Sequence, residues 1–190
     1  MGESIVVIVL IGLVVLVAMW AVAIYNKLVA LRQRVAEAWS GIDVQLKRRS
    51  NLIPNLIATI EGYVGHEKST LEEVTAMRTK AENAEGVAER ADAESKLSGA
   101  MMNLFAVAEN YPDLKASTNF LDLQDELSAL EDQIQMARRY YNGSVRDFNT
   151  LIETFPSNLI ANRFAFRQAV YFEIENAAER ALPKVAFGET

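Results

Sequence analysis

Residues 5–25 read IVVIVLIGLVVLVAMWAVAIY, and residues 26–64 follow as NKLVALRQRVAEAWSGIDVQLKRRSNLIPNLIATIEGYV. The first 21 of these positions carry no charge, and only Gly12 falls outside the apolar and aromatic set. Wound as an α-helix with a 1.5 Å rise, they cover about 31 Å, the thickness of a bilayer's hydrocarbon core. Trp20 and Tyr25 stand towards the C-terminal end, where indole and phenol rings favour the headgroup region. The segment is therefore expected to be a membrane anchor that starts at Ile5 and is finished by Trp20 and Tyr25. A cleaved secretory signal would open on a basic segment and close on a small-x-small site. This chain opens Met-Gly-Glu-Ser, and although Ala21-Val22-Ala23 imitates a cleavage site, the apolar run ahead of it is too long for a signal's core.

Nothing between Tyr25 and Lys27 would stop a helix. Apolar residues recur at Leu28, Leu31, Val35, Ala38, Ile42 and Leu46, then at Ile53, Ile57, Ile60 and Val64, in helical steps that keep phase across Arg49. Residues 5 to about 64 are thus predicted to form one nearly continuous helix of about 90 Å, bent modestly at Pro54, with Gly62 and Gly65 ending it. His66 to about Asn110 has apolar residues at both ends. Its middle, Thr79–Ser95, is rich in Ala, Glu and Asp, with Val87 as its single large aliphatic residue; an exposed or frayed stretch is expected there. Tyr111-Pro112-Asp113 reads as a turn. Phe120 to Phe155 carries the most regular stripe, through Leu127, Leu130, Ile134, Tyr141, Val145, Phe148 and Ile152, with Ser117 or Thr118 as N-cap and Pro156 as terminator. Ser157–Arg163 suits a short further helix, and Phe164, Phe166, Tyr171 and Phe172 are expected to fold back on the bundle.

The fold class is all-α: an N-terminal transmembrane helix continuing into an antiparallel bundle of three long helices plus a short fourth helix. The expected divisions are 1–25 for the N-terminus and span, 26–166 for the bundle, and 167–190 for a C-terminal tail packed in part on the bundle.

Charge follows this plan. Residues 26–49 hold Lys27, Arg32, Arg34, Lys47, Arg48 and Arg49 against Glu37 and Asp43, whereas residues 50–190 carry a net −9 of the chain's total of −6. Cations just after the span and none before it place the N-terminus outside and the bundle in the cytoplasm. The basic segment either attracts anionic lipid headgroups or serves only as a topology signal. The acidic distal part argues against nucleic acid as a partner.

Chemistry is sparse. There is no cysteine and one histidine, His66, so thiolate and imidazole metal clusters cannot be assembled. No cofactor is expected. His66 at a helix boundary suits a cap or surface role. Phosphate loops, a nucleophile elbow and a dinucleotide fingerprint are absent. Arg138-Arg139-Tyr140-Tyr141 could stack on a ligand, but Tyr141 falls in the core register. A non-enzymatic protein is expected.

Several segments resemble the LemA family: residues 25–32 (YNKLVALR), 38–49 (AWSGIDVQLKRR), 52–56 (LIPNL), 62–67 (GYVGHE), 111–115 (YPDLK), 137–142 (ARRYYN) and 155–158 (FPSN). They follow in order from the anchor to about Phe166; from Gln168 onward no resemblance is found. The resemblance implies a one-pass protein of the bacterial inner membrane with a long-helix bundle. It transfers no catalytic residue. Association of one relative with magnetosome membrane formation hints at membrane organisation, and occurrence of others near membrane metalloprotease genes hints at an adaptor.

Trp39, Asp43, Gln45, Arg48 and Asn51 put polar groups and an aromatic just above the membrane. They form either a contact patch for neighbouring copies or a partner, or an intramolecular set in which Trp39 covers the core and the charges pair with adjacent helices. The leading expectation is a self-associating scaffold, a homo-oligomer that contacts membrane lipids and organises the membrane or a membrane-bound complex. The alternative is an adaptor for another membrane protein, such as a membrane protease.

Overall fold

A computed structural model describes residues 2–63 and 67–173; Val64, Gly65, His66 and the tail from Ile174 onward lie outside the described residues. Six helices follow one another: α1 (Gly2–Glu61), α2 (Lys68–Asn83), α3 (Gly86–Ala108), α4 (Pro112–Lys115), α5 (Thr118–Glu153) and α6 (Ser157–Arg163). Among the described residues there is no strand. The helices contribute to two compact units. One comprises the chain to Leu46 with Asp132–Tyr171, and the other Lys47–Glu131 with, among the described residues, Phe172 and Glu173.

Helix α1 passes uninterrupted through Tyr25–Lys27 and through Pro54, as the missing breaker and the in-phase stripe require. Its first part is long and apolar enough to cross a membrane, and among the described residues nothing buries it. Pro54 has no N–H to give the carbonyl of Ser50. That carbonyl instead accepts a bond from Arg78 Nε at 2.9 Å, so the residue that should break the helix is compensated by α2.

In the first unit Leu28, Leu31, Phe148, Ile152, Ala161 and Phe166 form a buried cluster, with Ile24 packed on its edge. Tyr141 is also buried. Burial raises its phenol above the ordinary 10.0, while its hydroxyl donates to the carbonyl of Val170 at 2.8 Å. Asn149 holds the same returning segment by accepting from the N–H of Ala169 (2.8 Å) and donating to its carbonyl (2.9 Å). Of this unit's aromatic residues expected to fold back, Phe166 is buried whereas Phe164 and Tyr171 stay exposed; Phe172, which belongs to the second unit, is buried.

In the second unit the core joins Ile53, Leu56 and Ile60 of α1 to Leu71 and Val74 of α2, Leu97, Met101 and Leu104 of α3, Leu114 of α4, and Phe120 and Leu127 of α5. The segment read as one span from His66 to Asn110 resolves into α2 and α3. Ala84 and Glu85 are extended between them, and Gly86 takes a φ of +78°, which favours glycine. The expectation that Thr79–Ser95 would bury little is corrected: Ala81, Ala91 and Ala93 are buried, because small side chains let α2 and α3 approach closely. Tyr111 is extended, as a residue before proline should be, and the expected turn is the single helical turn α4 with Pro112 at its start. Helix α5 stops at Glu153, so Phe155 leaves the stripe and stands exposed.

Candidate functional site

Exposure of Ile5 and its apolar neighbours agrees with a lipid-facing helix. Trp20 is 38% exposed, and Tyr25, although partly open, is not a free anchor ring. Its centroid lies 4.8 Å from that of Phe164 and 5.8 Å from that of Phe166. The guanidinium of Arg32 sits 5.4 Å from the Phe166 centroid, in cation–π range. The end of the apolar run is thus packed by the segment that follows α6.

At about 100° per residue along α1, the five patch positions spread around the helix rather than along one side. Trp39 and Gln45 flank the buried stripe and are half-buried, whereas Asp43, Arg48 and Asn51 are exposed. The Trp39 ring packs on Tyr141 with centroids 5.7 Å apart. Gln45 Oε1 is buried without a hydrogen-bond partner among the described residues.

The most developed polar constellation includes none of these five. Arg49 occupies the apolar register between Leu46 and Ile53 and is buried, as is Glu94 of α3. Arg49 directs one terminal nitrogen at Glu94, pairing with Oε2 and reaching the backbone carbonyl at 3.4 Å. The other donates to Ser98 Oγ (3.0 Å) and Glu131 Oε2 (2.8 Å). Glu94 Oε1 accepts from Arg90 Nε at 2.9 Å. Alongside, Ser50 Oγ donates to Glu82 Oε1 at 2.6 Å, and Arg78 pairs with Glu82 at 2.9 Å. Both oxygens of Glu94 are occupied by guanidinium groups, so this carboxylate is spoken for as a counter-charge rather than poised to move protons. The signal in the sequence was Arg49 itself, a charge standing in an apolar stripe.

Shallow grooves line the surface. One is bounded by Gln135, Arg138, Arg139, Asn142, Gly143, Arg146 and Tyr171. Among the described residues no cluster of His, Cys, Asp and Glu could hold a metal ion; His66 lies outside them.

These features define a class: an all-α protein whose N-terminal helix is long and apolar enough to cross a membrane and continues into folded helical units. Within that class the chain belongs to the LemA family, whose sequence profile matches residues 38–187. The match extends past Phe166, where the local resemblance ended, into the tail. The chain is 31% identical over 153 residues to Protein LemA of Metamycoplasma hominis, covering 78% of this chain and 68% of that protein. It is 23% identical over 181 residues to Magnetosome protein MamQ 2 of Paramagnetospirillum magneticum and to Magnetosome protein MamQ of Magnetospirillum gryphiswaldense, covering 82% of this chain and 66% of each relative. None of these names states a reaction.

Proposed function

We propose that this protein is a non-enzymatic scaffold, anchored by α1 in the bacterial inner membrane with its helical units in the cytoplasm, that associates with further copies through the outer side of α1. The observation that carries this reading is Gly41. It is exposed inside a 60-residue helix, and a Cβ built there would meet nothing within 4 Å. A helix-interior glycine destabilises by roughly 0.5–1 kcal/mol relative to alanine, and among the described residues no contact uses the missing methyl. One turn on, Val44 is 50% exposed. A small residue beside an uncovered aliphatic one lets a second helix approach closely. In a two-fold contact the same surface serves both partners. The magnetosome members of the family support the membrane-organising part of the reading.

The chain has no cysteine, so Val44→Cys in the full-length protein gives a clean crosslinking site in native membranes. Dimers are expected with Val44→Cys, not with Met136→Cys on α5, and not when Gly41→Trp is added. Monomers throughout would sink self-association by this face. Capture of a different chain would favour the adaptor reading, which the acidic balance beyond Ser50 supports. Protease added to intact spheroplasts should leave residues 26–190 uncut; their digestion from outside would reverse the proposed topology.

A further inference from the structure

In the first unit, the turn after α5, the helix α6 and its C-terminal cap leave three large apolar side chains uncovered within ten residues of sequence: Phe155 at 75%, Leu159 at 57% and Phe164 at 56% exposure. An apolar cluster of this kind marks a contact surface. Helix α6 is amphipathic on a small scale. Ser157 and Ala161 are buried, and Ser157 Oγ lies 2.7 Å from the Leu151 carbonyl and 2.8 Å from that of Thr154. The opposite side presents Leu159, Asn162 and Arg163.

The cap that follows sends one aromatic each way. Ala165 adopts φ +56°, its N–H bonds to Asn162 O at 3.2 Å, and the N–H of Phe166 bonds to Ala161 O at 3.0 Å. This is a Schellman closure with alanine where glycine is usual. It buries Phe166 in the unit's core and leaves Phe164 outside, against Tyr25.

The rim lies beside the end of the apolar run. Phe164 packs on the last residue of the apolar run, and Ile24 within that run touches the cluster that includes Ile152, Ala161 and Phe166. At Phe164 the rim therefore meets the final turn of the span. Arg163 and Arg167 stand beside it, Lys27 lies on the adjoining turn of α1, and all three are exposed. Glu153, the carboxylate of the neighbouring α5 end, accepts a bond from Gln168. Aromatic and aliphatic groups bordered by cations suit the interface of a bilayer. We propose that Phe155, Leu159 and Phe164 form a second membrane-contact site, lying in the lipid surface beside α1 and seating the first unit on the bilayer. The inference rests on α1 spanning the membrane but is independent of self-association.

The test uses full-length protein in vesicles of phosphatidylcholine and phosphatidylglycerol with brominated acyl chains, which quench tryptophan on contact. With Trp20→Phe and Trp39→Phe as background, a single tryptophan is placed by Phe155→Trp, Leu159→Trp, Phe164→Trp or, as control, Tyr140→Trp, an exposed site on α5 in the same unit. The three rim variants should lose most of their emission, as a Trp20-only protein does, while the control keeps its own. Rim tryptophans that behave like the control, or that are blue-shifted yet unquenched and so covered by protein, would overturn the proposal. If the Trp20-only protein is itself unquenched, the anchor reading has failed instead. Matching circular-dichroism melts establish that each variant is folded.

Discussion

Replacing Glu94 by glutamine keeps the shape of a buried side chain and removes its charge. In the native unit the Arg49 guanidinium uses four of its five N–H groups, two on Glu94, one on Ser98 and one on Glu131. After Glu94→Gln, its remaining counter-charge is Glu131, whose side chain is 42% exposed and partly screened by water. Breaking a buried pair by removing one partner destabilises by about 3–5 kcal/mol. With Glu131 as a partial substitute, the lower end, about 3 kcal/mol, is expected. For a chain of this size that lowers Tm by roughly 6–12 °C. Arg49→Met leaves Glu94 paired with Arg90 and should destabilise less, by about 2 kcal/mol. The double variant removes both charges, so its loss should fall short of the sum by about 2 kcal/mol, a coupling typical of groups in one network. Thermal melts of the full-length protein in mild detergent, followed by circular dichroism, read all three. Lys96→Ala breaks the solvent-exposed pair with Asp92 and supplies the scale for an unimportant bridge, within about 0.5 kcal/mol. Should Glu94→Gln melt with Lys96→Ala, or should the double variant be additive, the cluster is not an interdependent buried network.

Three further outcomes follow from the first unit. Ala165→Gly should stabilise by about 0.5–1 kcal/mol, since a left-handed alanine is disfavoured by roughly 1–2 kcal/mol and glycine regains most of that; an unchanged or lower Tm would mean the cap is not formed in solution. Phe148→Ala, at the centre of the cluster with Ile152 and Phe166, should destabilise by about 3–5 kcal/mol, and a loss below about 0.5 kcal/mol would place that ring at the surface. Burial keeps Tyr141 protonated in the fold, so the stability it contributes is complete below pH 10.0 and is lost as pH rises through its higher folded value. Urea unfolding should therefore show a steeper alkaline decline for the native protein than for Tyr141→Phe, which should lose about 1 kcal/mol at neutral pH with its hydrogen bond; parallel declines would count against the burial.

Elements whose information is local were legible in the sequence. The continuity of α1 follows from the absence of a breaker after Tyr25, and the buried face of α5 from steps of three and four. Phe155 lies beyond the stripe because it precedes Pro156, which disfavours helical backbone at the residue before it, and the helix ends at Glu153. The break between α2 and α3 was hidden because Ala84 and Glu85 are good helix formers. Its one sign was Gly86, at a place where the chain needs a positive φ. Large side chains do not mark the core in that region, where alanines are buried by close helix approach.

The polar cluster illustrates a different limit. Arg49 stands in register with Leu46 and Ile53, and that position alone says that a buried cation needs a counter-charge. The partner is 45 residues away, on a helix whose acidic residues otherwise read as a solvated face. Glu94 precedes Leu97, Met101 and Leu104 by helical steps, so its own register also points inward. Two opposite charges, each at an apolar position of its own helix, are the trace such a pair leaves in a sequence. Pro54 leaves a trace of the same kind, because a proline inside a helix frees the carbonyl four residues earlier. Ser50 is that residue, and Arg78 meets its carbonyl. In both cases a local violation on α1 is answered by a side chain on another helix of the same unit. The violations therefore tie α1 to α2 and α3 in one register, which apolar contact, being non-directional, could not do alone.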